Sequence, residues 1–372
     1  MSNRLQPTGM TGLYIHVPFC GSRCIYCDFF STTQLARREE YVEGLCRELV
    51  ARRTEDRVPT VYFGGGTPSM LSGEQLRRIL DCVYENYNVL PDAEVTLEAN
   101  PDDVSEALLC GLPVNRLSMG VQSMNDERLR FLRRRHTSEQ ATEAIDTAIR
   151  CGITNISIDL IYGLPGQTLQ EWQEDVARAL SLPVTHLSAY ALSYEPHTLL
   201  YNMRERGEVQ EADDELSREM YYHLLDAAEA KGFVHYEISN FAKPGFESRH
   251  NSSYWTGVPY LGFGPGAHSY DGAQTRRSNP ASIDAWLQGE CDEEHLSRTD
   301  LFNERILLSL RTMRGLDIEA LRRDFAEEYA LVSPTLRRMQ QDGLLVQRQG
   351  HLALARQSIF TSDDIISSLL II

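Results

Sequence analysis

The chain has 372 residues, 42% hydrophobic and 24% charged, with 25 Gly and 15 Pro, a balance that excludes collagen, low-complexity disorder and a bare coiled coil. Fifty-three acidic against 36 basic residues leave a net charge of −17, which opposes sequence-independent attraction to nucleic-acid phosphate or anionic lipid. No run approaches the roughly 20 apolar residues of a membrane helix, and MSNRLQPTGMTG holds no apolar signal segment, so a cytoplasmic protein is expected.

Short apolar, β-branched runs recur at 13–18, 60–63, 94–99, 116–121, 155–162 and 186–192. Between them, segments 38–53, 73–87, 138–151 and 169–180 repeat apolar residues at helical spacing. Alternating strands and crossover helices predict an α/β protein with a parallel sheet, a whole or partial barrel, whose chemistry belongs at the C-terminal ends of the strands. An acidic helical segment follows at 203–232. A Gly- and aromatic-rich stretch at 245–278 shows little helical periodicity and reads as an irregular, functional segment. From about 302 the order is helix, helix, helix, hairpin, with helices expected at 304–312, 318–329 and 333–342 and a turn near Gly350. That order predicts a winged-helix-like α+β domain, but its nine acids and nine bases lack the basic footprint of a nucleic-acid wing. The expected division is 1–200 for the barrel, 201–300 for an extension and 301–372 for the C-terminal domain. The apolar tail IISSLLII is too short to span a bilayer and is expected on the body of the protein or at a subunit contact.

Eight cysteines in such a chain are expected as thiols or metal ligands rather than disulfides. Cys20, Cys24 and Cys27 lie within YIHVPFCGSRCIYCDFF, at the end of the first predicted strand, so three thiolates can converge from one loop. Structural zinc needs four protein ligands, and no second Cys or His pair with suitable spacing is present. The other five cysteines are scattered singly and read as small buried hydrophobes. Further polar or glycine-rich features follow along the strands: GGGTPS at 64–69, Glu98 in LEANPDD and Gln122 in GVQS at strand ends, and Asp159 in IDLIYGLPGQT within the fifth strand. Buried polar groups in apolar strands need partners, and several facing one mouth favour a polar ligand.

The C-x-x-x-C-x-x-C spacing after strand one, with Tyr26 just before the last cysteine, resembles the radical S-adenosylmethionine (SAM) superfamily. The resemblance implies a partial (β/α)6 TIM-like barrel and a 4Fe-4S cluster whose open iron chelates SAM. The order of the later motifs is similar to the oxygen-independent coproporphyrinogen III dehydrogenases and their heme-chaperone relatives, the HemW branch, from about Gly12 onward. Matched residue by residue, the resemblance implies that Tyr14, Gly65, Glu98 and Thr67 contact the cluster-bound SAM. Tyr26, Gly66, Gln122, Arg134, Asp159 and Ala191 match residues that hold a second SAM in the dehydrogenases.

Two departures from the dehydrogenase pattern point to the chaperone branch. Phe29 stands where the dehydrogenases carry a further cysteine, and only about a dozen residues precede Leu13 in place of a long N-terminal arm. The branch's H-N-x-x-Y-W mark is present as His250, Asn251, Tyr254 and Trp255. A neutral imidazole is a heme iron ligand and aromatic neighbours offer flat apolar surface, so His250 is the expected heme ligand. The expected function is binding of heme and its delivery to acceptor proteins such as respiratory cytochromes. The alternative is oxidative decarboxylation of coproporphyrinogen III. Radical modification of RNA is disfavoured by the acidic composition.

Overall fold

The structure, a computed structural model, describes residues 9–372. Six strands run parallel in chain order: β1 (Gly12–Val17), β2 (Arg57–Gly65), β3 (Asn88–Ala99), β4 (Arg116–Gln122), β5 (Asn155–Tyr162) and β6 (His186–Ala191). Their outward side chains, among them Leu13, Ile15, Val61, Phe63, Leu97, Leu117, Ile158 and Leu160, are buried. The helices predicted at helical spacing form over Arg38–Ala51, Gly73–Asn86, Ser138–Arg150 and Leu169–Ala179. Three of them start from capping boxes, Ser72 with Gln75, Thr137 with Gln140 and Thr168 with Glu171, which satisfy backbone donors that the first turn leaves unpaired. Gly73–Asn86 buries Leu76, Ile79, Leu80 and Val83, one stripe of an otherwise polar helix.

The inner face of the same strands is polar: Thr60 and Tyr62, Thr96 and Glu98, Arg116 and Ser118, Ser157 and Asp159, His186 and Ser188. The strands therefore alternate between apolar and polar positions. The reason is that helices cover only the outer face, while the inner face lines the barrel interior.

Residues beyond 200 extend both edges of this sheet. β7 (Val234–Glu237) and β8 (Asn240–Ala242) add antiparallel beyond β6. β9 (Tyr260–Phe263) runs parallel beside β1, followed by antiparallel β10 (His268–Tyr270), β11 (Thr275–Ser278) and β12 (Asp292–His295). The result is one 12-stranded sheet. Segment 245–278, expected to be irregular, instead holds the helix Arg249–Trp255 and three of these strands. Strands of three or four residues are too short to display a period, so the pairing was not legible.

The C-terminal part is winged-helix-like. Helices Arg298–Leu310, Ile318–Asp324 and Ala326–Gln341 pack with β13 (Leu316–Asp317), β14 (Leu345–Arg348) and β15 (His351–Leu354), in the order β13-β15-β14. Gln349 and Gly350, both with positive φ, make the hairpin turn, the backbone twist that two-residue loops favour. The helix boundary falls at Phe325 rather than near Ser333, and the last helix runs through Pro334. Pro334 has no N–H for the Ala330 carbonyl, and the Ser333 hydroxyl donates to that oxygen instead, at 3.3 Å. The tail lies on the body as expected: Asn303 pairs with the backbone of Ile371 through two hydrogen bonds of 2.8 and 2.9 Å, and Leu369 is buried.

One expectation about the cysteines is corrected. Cys110 and Cys151, 41 positions apart in sequence, are joined as a disulfide, with Cα atoms 4.8 Å apart. They close on each other because the short helix Glu106–Leu109 packs against Ser138–Arg150, a tertiary contact that spacing does not reveal. Among the described residues no helix is long and apolar enough to cross a membrane.

Candidate functional site at the C-terminal end of the strands

Five of the six parallel strands deliver a predicted residue to the same end of the barrel. β1 leads through Pro18 into the loop bearing Cys20, Cys24 and Cys27, all free, with Cys20 buried and the other two half-buried. The Cys20 Sγ lies 3.6 Å from Thr67 Oγ1, just past the end of β2. Asn100, just past β3, donates to that Thr67 oxygen at 3.4 Å. Arg134 reaches over the loop, with Nη1 3.3 Å from Cys24 Sγ and Nη2 donating to Asn100 Oδ1 and the Gly120 carbonyl. A Cβ on Gly120 would stand 3.2 Å from Arg134 Nη2 and 2.7 Å from Gln122 Nε2, so its absence leaves room for both side-chain ends. Arg134 thus sits on the cysteine loop itself, beside Tyr26, whose hydroxyl is pushed up by burial and by hydrogen bonding to Cys24.

Burial, with Cys24 and Cys20 nearby, raises the Cys27 thiol to about 11. That thiol stays protonated unless a cation ionises it. An iron–sulfur cluster supplies that charge, and Arg134 offsets part of the thiolate charge, so the donor chemistry fits the cluster. Among the described residues no three His, Cys, Asp or Glu side chains converge as a mononuclear metal would need.

Below the loop the interior narrows onto Glu98. Tyr62 donates to Glu98 Oε1 at 2.6 Å. A Cβ on Gly64 would meet Tyr62 at 2.9 Å, Glu98 Oε1 at 3.1 Å and Tyr14 at 3.1 Å, so the missing side chain keeps a cradle open between the two tyrosines and the carboxylate. Gly65 holds φ +110, where a side chain would strike His16 at 2.7 Å, and a Cβ on Gly66 would meet the Pro18 and Phe19 backbone at 2.9 Å. These contacts explain three consecutive glycines. Burial raises Glu98 to about 7 and Asp159 to about 6. Gln122 is buried at φ +68 at the end of β4, where the pairing with β5 shifts register. A non-glycine residue held in the left-handed region marks a place where surrounding structure fixes the backbone. Ala191, at the exposed end of β6, pairs only with Tyr162 of β5.

Arg116 was not singled out from sequence. It is 1% exposed at the start of β4, and its Nε and Nη1 have no hydrogen-bond partner among the described residues. Its charge lowers both Glu98 and Asp159, so it holds part of the barrel's negative charge ionised. The available signal was strand parity: Arg116 shares a face with Ser118, Gly120 and Gln122.

His250 lies elsewhere. The helix Arg249–Trp255 closes the opposite end of the barrel, tied by Glu94, whose carboxylate accepts from the backbone N–H groups of Arg249 and His250 at 3.0 Å each. The imidazole is 1% exposed, with Nδ1 2.8 Å from Thr60 Oγ1 and Nε2 2.8 Å from the Tyr254 hydroxyl. It stacks on Tyr62 at 4.9 Å, and burial lowers it to about 3. Both ring nitrogens are hydrogen-bonded within the protein, and His250 ties the closing helix to β2.

Comparison with known proteins agrees with this architecture. A model of the radical SAM superfamily matches residues 14–179, and a model of the HemN C-terminal domain matches residues 296–360. The heme chaperone HemW of Lactococcus lactis subsp. lactis (strain IL1403) is 37% identical over 321 residues, covering 84% of each chain. That of Bacillus subtilis (strain 168) is 35% identical over 383 residues, covering 97% of this chain and 99% of the relative. Among solved structures, the coproporphyrinogen III oxidase HemN from Escherichia coli, a radical SAM enzyme, superposes with a TM-score of 0.81 at 23% identity, over 97% of this chain and 89% of that one; this likeness shows the fold. With such identity along nearly its whole length, the chain belongs to the HemW family of the radical SAM superfamily.

Proposed function

We propose that this protein binds heme and passes it to acceptor proteins such as respiratory cytochromes, on a scaffold that holds a 4Fe-4S cluster and SAM. The observation that carries this reading is the near-full-length identity to heme chaperones. It is joined by Phe29, which stands 66% exposed in place of a further cysteine at the cluster loop. Cytoplasmic placement and a division near residues 200 and 300 belong to the same proposal.

Cys20, Cys24 and Cys27 would hold the cluster. When bound, it supplies an iron without a protein ligand for the amino and carboxylate groups of SAM, and an electron for cleavage of the sulfonium. Thr67 and Asn100 fix the Cys20 side of the loop, and Arg134 donates to Cys24. Gly65, Gly66, Tyr14 and Glu98 shape the space beneath it, where an ionised carboxylate attracts a cationic ligand. Tyr26, Gln122, Asp159 and Ala191 would bound the same space. Anaerobic protein mixed with coproporphyrinogen III, SAM and a reductant should form no protoporphyrinogen. The same preparation should bind hemin and transfer it to an apo-cytochrome; porphyrinogen decarboxylation would reverse the assignment.

A further inference from the structure

The cysteine loop meets a second arginine besides Arg134. Gly21, between Cys20 and Cys24, does not hold a positive φ, so its backbone conformation does not call for glycine. A Cβ there would stand 2.8 Å from Nη1 of Arg135 and 3.1 Å from its Cζ, and the three atoms nearest that position all belong to Arg135. The guanidinium therefore lies against the loop backbone in the space a side chain would take.

Its other side is anchored. Nη2 donates to both carboxylate oxygens of Asp103, at 2.8 and 2.9 Å, and lies 3.0 Å from Asp102 Oδ2. Asp103 also accepts from the hydroxyl of Ser69 at 3.0 Å, and that hydroxyl accepts from the Asn100 N–H at 3.2 Å. One carboxylate thus joins the turn after β3 to the glycine-rich turn after β2 and, through Arg135, to the loop after β1. The backbone that carries Arg135 is fixed as well. Arg133, at φ +58, turns the chain away from the helix Asp126–Phe131, the Arg134 N–H donates to the Leu129 carbonyl at 2.9 Å, and the buried His136 donates from Nε2 to the Val121 carbonyl at 3.0 Å. Two consecutive residues on this fixed segment then meet the loop at two points, Arg134 at Cys24 and Arg135 at Gly21.

We propose that Arg135 is a positioning residue of the cluster site, which clamps the Cys20–Cys24 part of the loop in place and neutralises Asp102 and Asp103 beside it. The inference rests on the cluster reading above. Groups behind the ligands orient them, and nearby charge tunes a cluster's reduction potential. The guanidinium fork matches a carboxylate bidentately, which a lysine ammonium cannot reproduce. With a third of the Arg135 side chain exposed, the ion pair contributes little to global stability, so a purely structural role predicts little change at the loop.

The test has a cluster-free and a cluster-bound arm, both on the full chain. In the anaerobic apoprotein, alkylation of buried Cys20 by iodoacetamide, followed by peptide mass spectrometry, should run severalfold faster in Arg135→Gln. Gly21→Ala should do the same by displacing the guanidinium, and the double variant should be no faster than the faster single one, as for two changes to one contact. In the reconstituted protein, Arg135→Gln should lose iron to a chelator roughly tenfold faster. Its cluster midpoint potential, from a redox titration followed by electron paramagnetic resonance, should fall, because two carboxylates are left unneutralised. Arg135→Lys should return the potential toward wild type without restoring iron retention. Wild-type alkylation rates in both Arg135→Gln and Gly21→Ala, or an unshifted potential in Arg135→Gln, would overturn the proposal. Failure of the wild-type protein to take up a cluster would instead overturn the cluster reading, and this inference with it.

Discussion

Glu98 governs how the barrel's affinity for a cation depends on pH. Burial raises its carboxyl to about 7 in the ligand-free protein. A sulfonium or ammonium group beside it stabilises the ionised form, so the complex holds fewer protons than the free protein. SAM affinity should therefore rise with pH and level off above about 7, as calorimetry across that range would record. Glu98→Gln should flatten this dependence and cost about 1.5 to 3 kcal/mol, roughly ten- to hundredfold in affinity. Arg116→Met removes the charge that lowers both Glu98 and Asp159, so the same rise should shift to higher pH. At the loop, Cys20→Ala, Cys24→Ala or Cys27→Ala should each abolish iron and sulfide binding, and Cys46→Ala should leave both intact. Retention of a cluster by the triple variant would remove these residues from the site.

At the scale of elements, the helix Arg249–Trp255 is held by a remote carboxylate as well as by its own cap. Ser248 caps it locally, while Glu94 accepts from its first two backbone N–H groups. Glu94→Ala should cost about 2 kcal/mol in chemical denaturation, with cluster content unchanged, because the helix lies at the far end of the barrel from the cluster loop. The helices between the strands were legible in the sequence because each repeats apolar residues at helical spacing and three of the four open with a capping box. The helix through Pro334 was not, because a proline near a serine reads as a start, and only the structure shows the Ser333 hydroxyl taking the orphaned carbonyl.

Across the whole molecule, two long-range ties act on stability. The Cys110–Cys151 bond closes a loop of 41 residues, for which chain entropy suggests about 4 kcal/mol. Thiol titration of the unfolded, unreduced apoprotein should count six free cysteines, the remaining two being paired, and reduction should lower the Tm. Eight reactive thiols would show that the bond does not form. Deleting 369–372 removes buried Leu369 and the pairing of Ile371 with Asn303. The cost should be about 2 kcal/mol, seen as a Tm lower by a few degrees without loss of cluster.

The sequence by itself determined the parallel barrel, the winged-helix-like end and the cysteine loop, because these rest on local information: the period of apolar residues, capping residues, and three ligands within eight positions. Glu98 and Gln122 at strand ends and Asp159 within the fifth strand were also legible, since a polar residue in an apolar run is visible without coordinates. Only the tertiary structure decided what depends on through-space neighbours. It set the pairing of Cys110 with Cys151, the placement of Arg134 on Cys24, and the burial of Arg116 beneath two carboxylates. It also placed His250, which the sequence marks only by its motif, inside the barrel with both ring nitrogens hydrogen-bonded.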